Sequence, residues 1–344
     1  MSWIDFLLKQ GSRRDQHDFG DLNGELQSAR SSTVVTPLTD LGVIDVQGDD
    51  AASFLHNILT NDINGLAKDA SCLAGLCNPK GRLLASMTIW PEAAGFRLVL
   101  SADLLASVHK KLSMYVLRAK LSLTDASQQC ILLGLSGPKA LQAISTLGAD
   151  IDGTVTLRAF AGGKAIALGG DRYLLALSAE FAESGWARLT EIASPAGLDA
   201  WHWLEIVAGI PRITAKTQEE FVPQMVNYEL VGGLSFTKGC YPGQEVVARS
   251  QYLGKIKRHM YRVCSDSDAV PLQVGAELFS SATEDQPCGT VVLAAPSPSG
   301  GTEALAVMLS TCFDSGDLHL QSMQGPALRF LPLPYERQTA TPSP

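Results

Sequence analysis

The chemistry of this chain concentrates in Lys238-Gly239-Cys240-Tyr241-Pro242-Gly243-Gln244-Glu245. A thiol stands between two glycines, next to a lysine and just ahead of an amide and a carboxylate. The thiolate is the reactive form of cysteine, and a neighbouring cation and a following helix N-terminus both favour it, which makes Cys240 the candidate catalytic residue. The plainer reading is one more buried, small hydrophobic side chain. Pro242-Gly243 suits a type II turn, which needs φ > 0 at the glycine. From Gln244 the pattern Val246-Val247-x-Arg249 predicts a short helix, with Glu245 and Arg249 four apart and able to pair. Between Lys238 and Arg262 six Lys/Arg (238, 249, 255, 257, 258, 262) face one acid in a chain of net charge −8. Such a run suggests a local anion site for phosphate, polyglutamate or RNA backbone, with Lys255, Lys257 and Arg258 as candidate RNA contacts. A solvated face is the bland alternative.

Elements able to hold that stretch are legible on either side. Leu41 to Val46 alternates as a strand and ends at a Gly48-Asp49-Asp50 turn, before Phe54, Leu55, Ile58 and Leu59 recur at helical spacing. Ser71 to Leu76 and Arg82 to Trp90 read as strands joined by the turn Cys77-Asn78-Pro79-Lys80-Gly81, and Phe96 to Leu100 adds another. A helix to about Arg118 follows, burying Leu104, Leu105, Val108, Leu112, Tyr115 and Val116 and turning His109 to solvent. From Cys130 the order strand, helix, three strands, helix predicts a ferredoxin-like α+β subdomain over 130–204. Trp201 to Ala208 reads as a helix stopped by Gly209 and Pro211. Trp201 and Trp203 can stack on a planar ring, although packing is the commoner use of such a pair. Beyond Arg258 the chain is rich in short strands and turns, predicting a small antiparallel β-barrel or sandwich over 258–337 and a tail over 338–344.

With 344 residues, 46% hydrophobic and 18% charged, the chain is long enough for two or three domains with substantial cores. Its net negative charge argues against a wholesale nucleic-acid binder, so any RNA contact must be local. The seven cysteines are scattered without a CxxC pair, which reads as reduced cytosolic thiols, neither a disulfide frame nor a metal cage. No segment approaches the roughly 20 apolar residues needed to span a bilayer. Residues 1–30 lack the apolar core of a secretory signal and read as an N-terminal arm, so the expected location is cytoplasmic. There is no P-loop, GxSxG, HExxH or dinucleotide motif.

KGCYPGQEVVAR matches every fixed position of K-G-C-[FY]-x-G-Q-E-x-x-[AS]-R and resembles the YgfZ-type folate-binding proteins, relatives of the T-protein (aminomethyltransferase) of the glycine cleavage system. Gly48-Asp49-Asp50-Ala51, Phe54-Leu55 and Leu59-Thr60-Asn61-Asp62 are similar to the family's G-x-D-A-x-x-F-L and l-T-n-D, with one inserted Asp. The resemblance implies an α+β fold of three subdomains in a T-protein-like ring around a central folate-binding hole. It divides the chain into a folate-binding core (31–129 plus 205–257), the 130–204 subdomain and the C-terminal barrel. It implies tetrahydrofolate or a one-carbon derivative as cofactor, and a role in assembling or repairing iron–sulfur enzymes, including those that thiolate tRNA. Partners are then folate, iron–sulfur client proteins or assembly factors, and tRNA, with no membrane. Carried onto this chain, it makes Cys240 the reactive atom, handling a one-carbon unit, a sulfur species or, transiently, a cluster. Lys238, Gly239, Tyr241, Gln244, Glu245, Arg249, Trp201 and Trp203 become cofactor-binding candidates. The T-protein's pterin-binding Glu falls on Val207, with Glu205 one step of the alternation upstream, and Gln224 and Asn227 are candidate replacements. The T-protein's Asp-Asp pair falls on Ala85-Ser86, so classical aminomethyl transfer is not expected. A folate-dependent methyl- or aminomethyltransferase acting on protein or tRNA, and a non-catalytic RNA-binding module, are the alternatives.

Overall fold

Apolar residues at helix and strand spacing carry the chain through three sheets. The structure, a computed structural model, describes residues 2–13, 15, 17–151, 155–252, 256–266, 270–284 and 286–336. Helices α1 (Trp3–Lys9) and α2 (Leu22–Ser31) precede β1 (Val34–Pro37), β2 (Leu41–Gln47) and α3 (Ala51–Ile58). The hairpin β3 (Cys72–Cys77) and β4 (Leu83–Glu92) leads to β5 (Gly95–Ser101), α4 (Leu105–Val116) and β6 (Ser122–Asp125). Next come β7 (Cys130–Ser136), α5 (Ala140–Thr146), β8 (Leu157–Phe160), β9 (Gly163–Ala167), β10 (Arg172–Ser178), α6 (Ala179–Leu189), β11 (Ser194–Pro195) and α7 (Leu198–Val207). After a long irregular stretch come α8 (Gln244–Tyr252), β12 (Arg258–Ser265), β13 (Glu277–Phe279), β14 (Pro287–Pro296), β15 (Thr302–Leu309), α9 (Ser310–Ser315), β16 (His319–Leu320) and β17 (Arg329–Leu331).

The first sheet runs β3-β4-β5-β2-β6, the second β11-β1-β7-β10-β9-β8 and the third β16-β13-β14-β15-β12-β17. The second sheet takes β1 from before residue 130, pairing Val35 with Leu135, and its β1–β11 contact is parallel. Residues 1–30 contribute two helices: Trp3 and Phe19 pack on Trp186 of α6, and α2 lies against α7. Where an antiparallel barrel was expected, the third sheet curls as an antiparallel half-barrel. Among the described residues its short end segments meet at a bridge from His319 to Ala327, β16 and β17 being two and three residues long.

One hydrophobic core runs from the first sheet through Trp201, Trp203 and Ile206 of α7 into Val292, Leu305 and Val307 of the third. His109 is half-buried, its Nε2 3.3 Å from Leu123 O on the neighbouring β6, and does not face solvent as its helical position suggested. The candidate Lys255 and the tail 338–344 lie outside the described residues.

Candidate functional site

The loop carrying Cys240 is fastened at three points. Gly243 has φ +81°, the value a type II turn requires of its glycine, and a Cβ there would lie 2.4 Å from Asn78 O and 2.6 Å from Gly81 Cα. The loop therefore seats its turn on the tip of the β3–β4 hairpin, backbone against backbone. Tyr241 is buried with Leu234 and Val247 in a small cluster beneath the loop. Full burial of an aliphatic side chain such as Leu234 or Val247 contributes about 1.5–3 kcal/mol. The Lys238 ammonium donates to Leu59 O at 2.7 Å and to His56 O, and stands 5.0 Å from the Tyr241 ring centroid. Those carbonyls end α3, where a cation offsets the negative end of the helix dipole. Burial pushes the Lys238 amine down to about 8, against the pull of Asp62 and Cys240. The predicted cation is thus a clamp between loop and helix.

Cys240 is exposed, whereas Cys72 is half-buried and the other five cysteines are buried. Against the preceding residue, Gly239, stands His56, on the last turn of α3. Its Nε2 would lie 3.5 Å from a Cβ built on Gly239, and its Nδ1 is 3.0 Å from Asp62 Oδ1.

The remaining predicted residues divide among other tasks. Gln244 starts α8, half-buried, and Glu245 and Arg249 form the expected pair at 3.0 Å on its exposed face. Such a pair is worth about 0.3–0.5 kcal/mol. Gln224 is buried and donates from Nε2 to Val247 O at 2.7 Å, holding α8. Asn227, in the left-handed region at φ 56°, donates to Met260 O at 2.8 Å and accepts from Met260 N at 3.3 Å, tying the irregular stretch to β12. Trp203 is buried and donates from Nε1 to Glu303 Oε1 at 3.1 Å. The basic run disperses: Arg258 donates to Cys288 O, Arg262 pairs with Glu303, and Lys257 is exposed.

Of the predicted residues, Trp201 lines a narrow cavity of about 70 Å³ between the first sheet and α7. Gly134 makes room for the Trp201 ring, since a Cβ there would sit 2.4 Å from Cε3. The walls are mostly aliphatic, and the polar groups are Glu205, Arg212, Tyr228 and a few hydroxyls, Ser86 among them. Arg212 is buried between two carboxylates, with Nη2 2.6 Å from Glu205 Oε2 and Nη1 on Asp40 Oδ2. His202 Nε2 is 2.7 Å from the same Asp40 oxygen. Burial would raise the Asp40 carboxyl, but Arg212 and then His202 outweigh it and hold it well below the usual carboxylate range. Asp40 Oδ1, also buried, has no hydrogen-bond partner. Ser86, where the resemblance places an aspartate, lies on this wall and accepts from Ile213 N at 2.9 Å. Asp40 and Arg212 carried no sequence signal beyond an arginine after Pro211, while Glu205 stood out only through the resemblance. Cys240 and the residues clamping it are not part of the cavity wall.

The family described as GCVT N-terminal domain matches residues 12–231. The tRNA-modifying protein YgfZ of Photobacterium profundum is 32% identical over 87% of this chain and 90% of its own length. Its namesake in Vibrio vulnificus (strain CMCP6) is 34% identical over 69% of this chain and 72% of its own. Among solved structures, the glycine cleavage system aminomethyltransferase T from Bartonella henselae superposes with a TM-score of 0.68 over 91% of this chain and 89% of that one, at 20% identity, a likeness of fold.

Proposed function

We propose, from the premise that the chain belongs to the YgfZ family on the GCVT N-terminal domain, that it is a folate-binding accessory protein supporting iron–sulfur enzymes, tRNA-thiolating ones among them, with Cys240 as its reactive atom. The observation that carries the reading is the Glu205–Arg212 pair on the wall of a mostly apolar cavity lined by Trp201. A few convergent polar groups on apolar walls are what orients a heterocycle in a small-molecule site. The donor set fits a reduced pterin, because Glu205 can accept from an amino–imino edge while Arg212 donates to a ring carbonyl. Glu205 supplies the carboxylate that Val207 cannot. A bound folate would supply a one-carbon unit or an electron-rich ring. This chain's residues hold the ring edge, exclude water with Trp201 and Leu100, and keep Cys240 at a separate, exposed place where a macromolecular client can reach it.

Titration of the purified protein with tetrahydrofolate, followed by tryptophan fluorescence, tests this directly. Saturable quenching is expected, weakened about 10- to 100-fold in Glu205→Gln, since a hydrogen bond to a charged group is worth about 1.5–3 kcal/mol. Cys240→Ala should bind as the parent does and fail to restore tRNA thiolation in cells lacking the protein. A parent that binds no folate removes the cavity assignment, and full complementation by Cys240→Ala removes the thiol role.

A further inference from the structure

We propose that His56 is the proton acceptor for the Cys240 thiol and that Asp62 is the positioning residue that orients it, a reading that rests on Cys240 being the reactive atom. The ring is placed by its helix. Phe54, Leu55 and Ile58 take the buried side of α3, which leaves His56 on the side facing the loop. Lys238 clamps the loop to His56 O and Leu59 O, so ring and thiol are referred to the same helix end. Gly239 locates the ring: a Cβ built on it would be in ordinary van der Waals contact with Nε2 at 3.5 Å, so that nitrogen faces the loop immediately before Cys240.

The other ring nitrogen faces a carboxylate. Nδ1 stands 3.0 Å from Asp62 Oδ1, within ion-pair distance and without a hydrogen bond. Asp62 is itself anchored, accepting from Gly65 N at 3.0 Å, and that bond comes first among the influences holding its carboxyl below the ordinary value, His56 after it. A carboxylate 3.0 Å from Nδ1 favours the tautomer that carries its proton there, which leaves the Nε2 lone pair for the thiol. The step is a proton transfer alone: the S–H bond of Cys240 breaks, an N–H bond forms at Nε2, and a thiolate–imidazolium pair results. The charged and titratable groups around it are Asp62 from the turn after α3, and Lys238 and Tyr241 from the loop. Lys238 lies within electrostatic reach of both Asp62 and Cys240.

The test is the pH dependence of Cys240 alkylation by iodoacetamide in the folded full-length protein, with the modified residue quantified by mass spectrometry. The parent's rate should inflect at least one unit below the thiol's ordinary value of about 8.5. His56→Gln should return the inflection to that value and slow labelling at pH 7 about tenfold. Asp62→Asn should move it part of the way. An unshifted parent, or the same inflection in parent and His56→Gln, overturns the proposal. So does an inflection that moves in Lys238→Met but not in His56→Gln, which would make the ammonium the partner. Tetrahydrofolate binding is measured alongside and should be unchanged in His56→Gln, so a failure of the folate reading is seen separately from a failure of this one.

Discussion

At Lys238 two carbonyl oxygens at the end of α3 take an ammonium out of water, and the amine falls to about 8 from an ordinary 10.5. A neutral amine still carries two N–H donors, enough for both carbonyls. Because the folded value lies below the unfolded one, the unfolded chain binds the extra proton between about pH 8 and 10.5. The burden on stability is therefore full below that window and disappears as pH rises through it. Lys238→Met, which keeps the bulk and does not titrate, should be less stable than the parent by about 1–3 kcal/mol at pH 7, with two carbonyls unpaired. Urea midpoints of the two proteins should diverge further in the parent's favour between pH 8 and 10, and parallel curves would show a solvated lysine. In the sequence this residue reads as one cation of an anion site, since adjacency along the chain says nothing about which way each side chain is drawn. Arg212 is the reverse case. An arginine after a proline has no period to mark it, yet its two carboxylates, Asp40 and Glu205, come from segments more than 160 residues apart and from the preceding helix.

The Cys240 loop and the β3–β4 hairpin form one unit through the contact of Gly243 with Asn78 and Gly81. At Gly243 a side chain meets two objections, a left-handed backbone and a carbonyl 2.4 Å from its Cβ. Gly243→Ala should cost at least about 1–2 kcal/mol for the backbone alone. It should also lift the loop from the hairpin and raise hydrogen exchange at residues 239–243, and a thermal midpoint equal to the parent's would mean that the loop does not rest on Gly81. This turn was readable beforehand, because Pro-Gly limits the backbone to few shapes. The strands 41–47, 72–77, 83–92 and 95–101 were readable for a similar reason, their alternation of apolar residues being a local signal. β1 and β11 were not. Four residues and two residues carry no period, and they become strands only because Val35 finds Leu135 and Val34 finds Ser194 across a hundred positions or more. Helix α2 was missed because its polar stretch is held by an Asp21 cap and by packing on α7.

Over the whole molecule, α7 joins the sheets. It lines the cavity with Trp201 and Glu205, while from the opposite side Trp203, midway between them, reaches Glu303 of β15. Glu303 is buried and shared: Arg262 Nη2 lies 2.5 Å away, and Ser297 Oγ donates at 2.8 Å. A carboxylate so placed has exchanged water for three fixed donors, and removing it strands a half-buried guanidinium. Breaking a buried pair from one side costs about 3–5 kcal/mol, so Glu303→Ala should lower the urea midpoint markedly. How it does so tests the architecture. All five tryptophans precede residue 204, so four of them report the first two sheets and α7 while Trp203 reports the seam with the third sheet, and far-UV circular dichroism also reports the half-barrel. Since a single core continues from the first sheet through α7 to Val292, Leu305 and Val307, both signals should shift together to the same lower midpoint. If circular dichroism falls first and tryptophan emission holds, the half-barrel unfolds by itself and the core is not shared. If they fall together, a residue of the C-terminal sheet helps hold the wall of the candidate folate cavity, and Glu303→Ala should weaken tetrahydrofolate binding without touching the site.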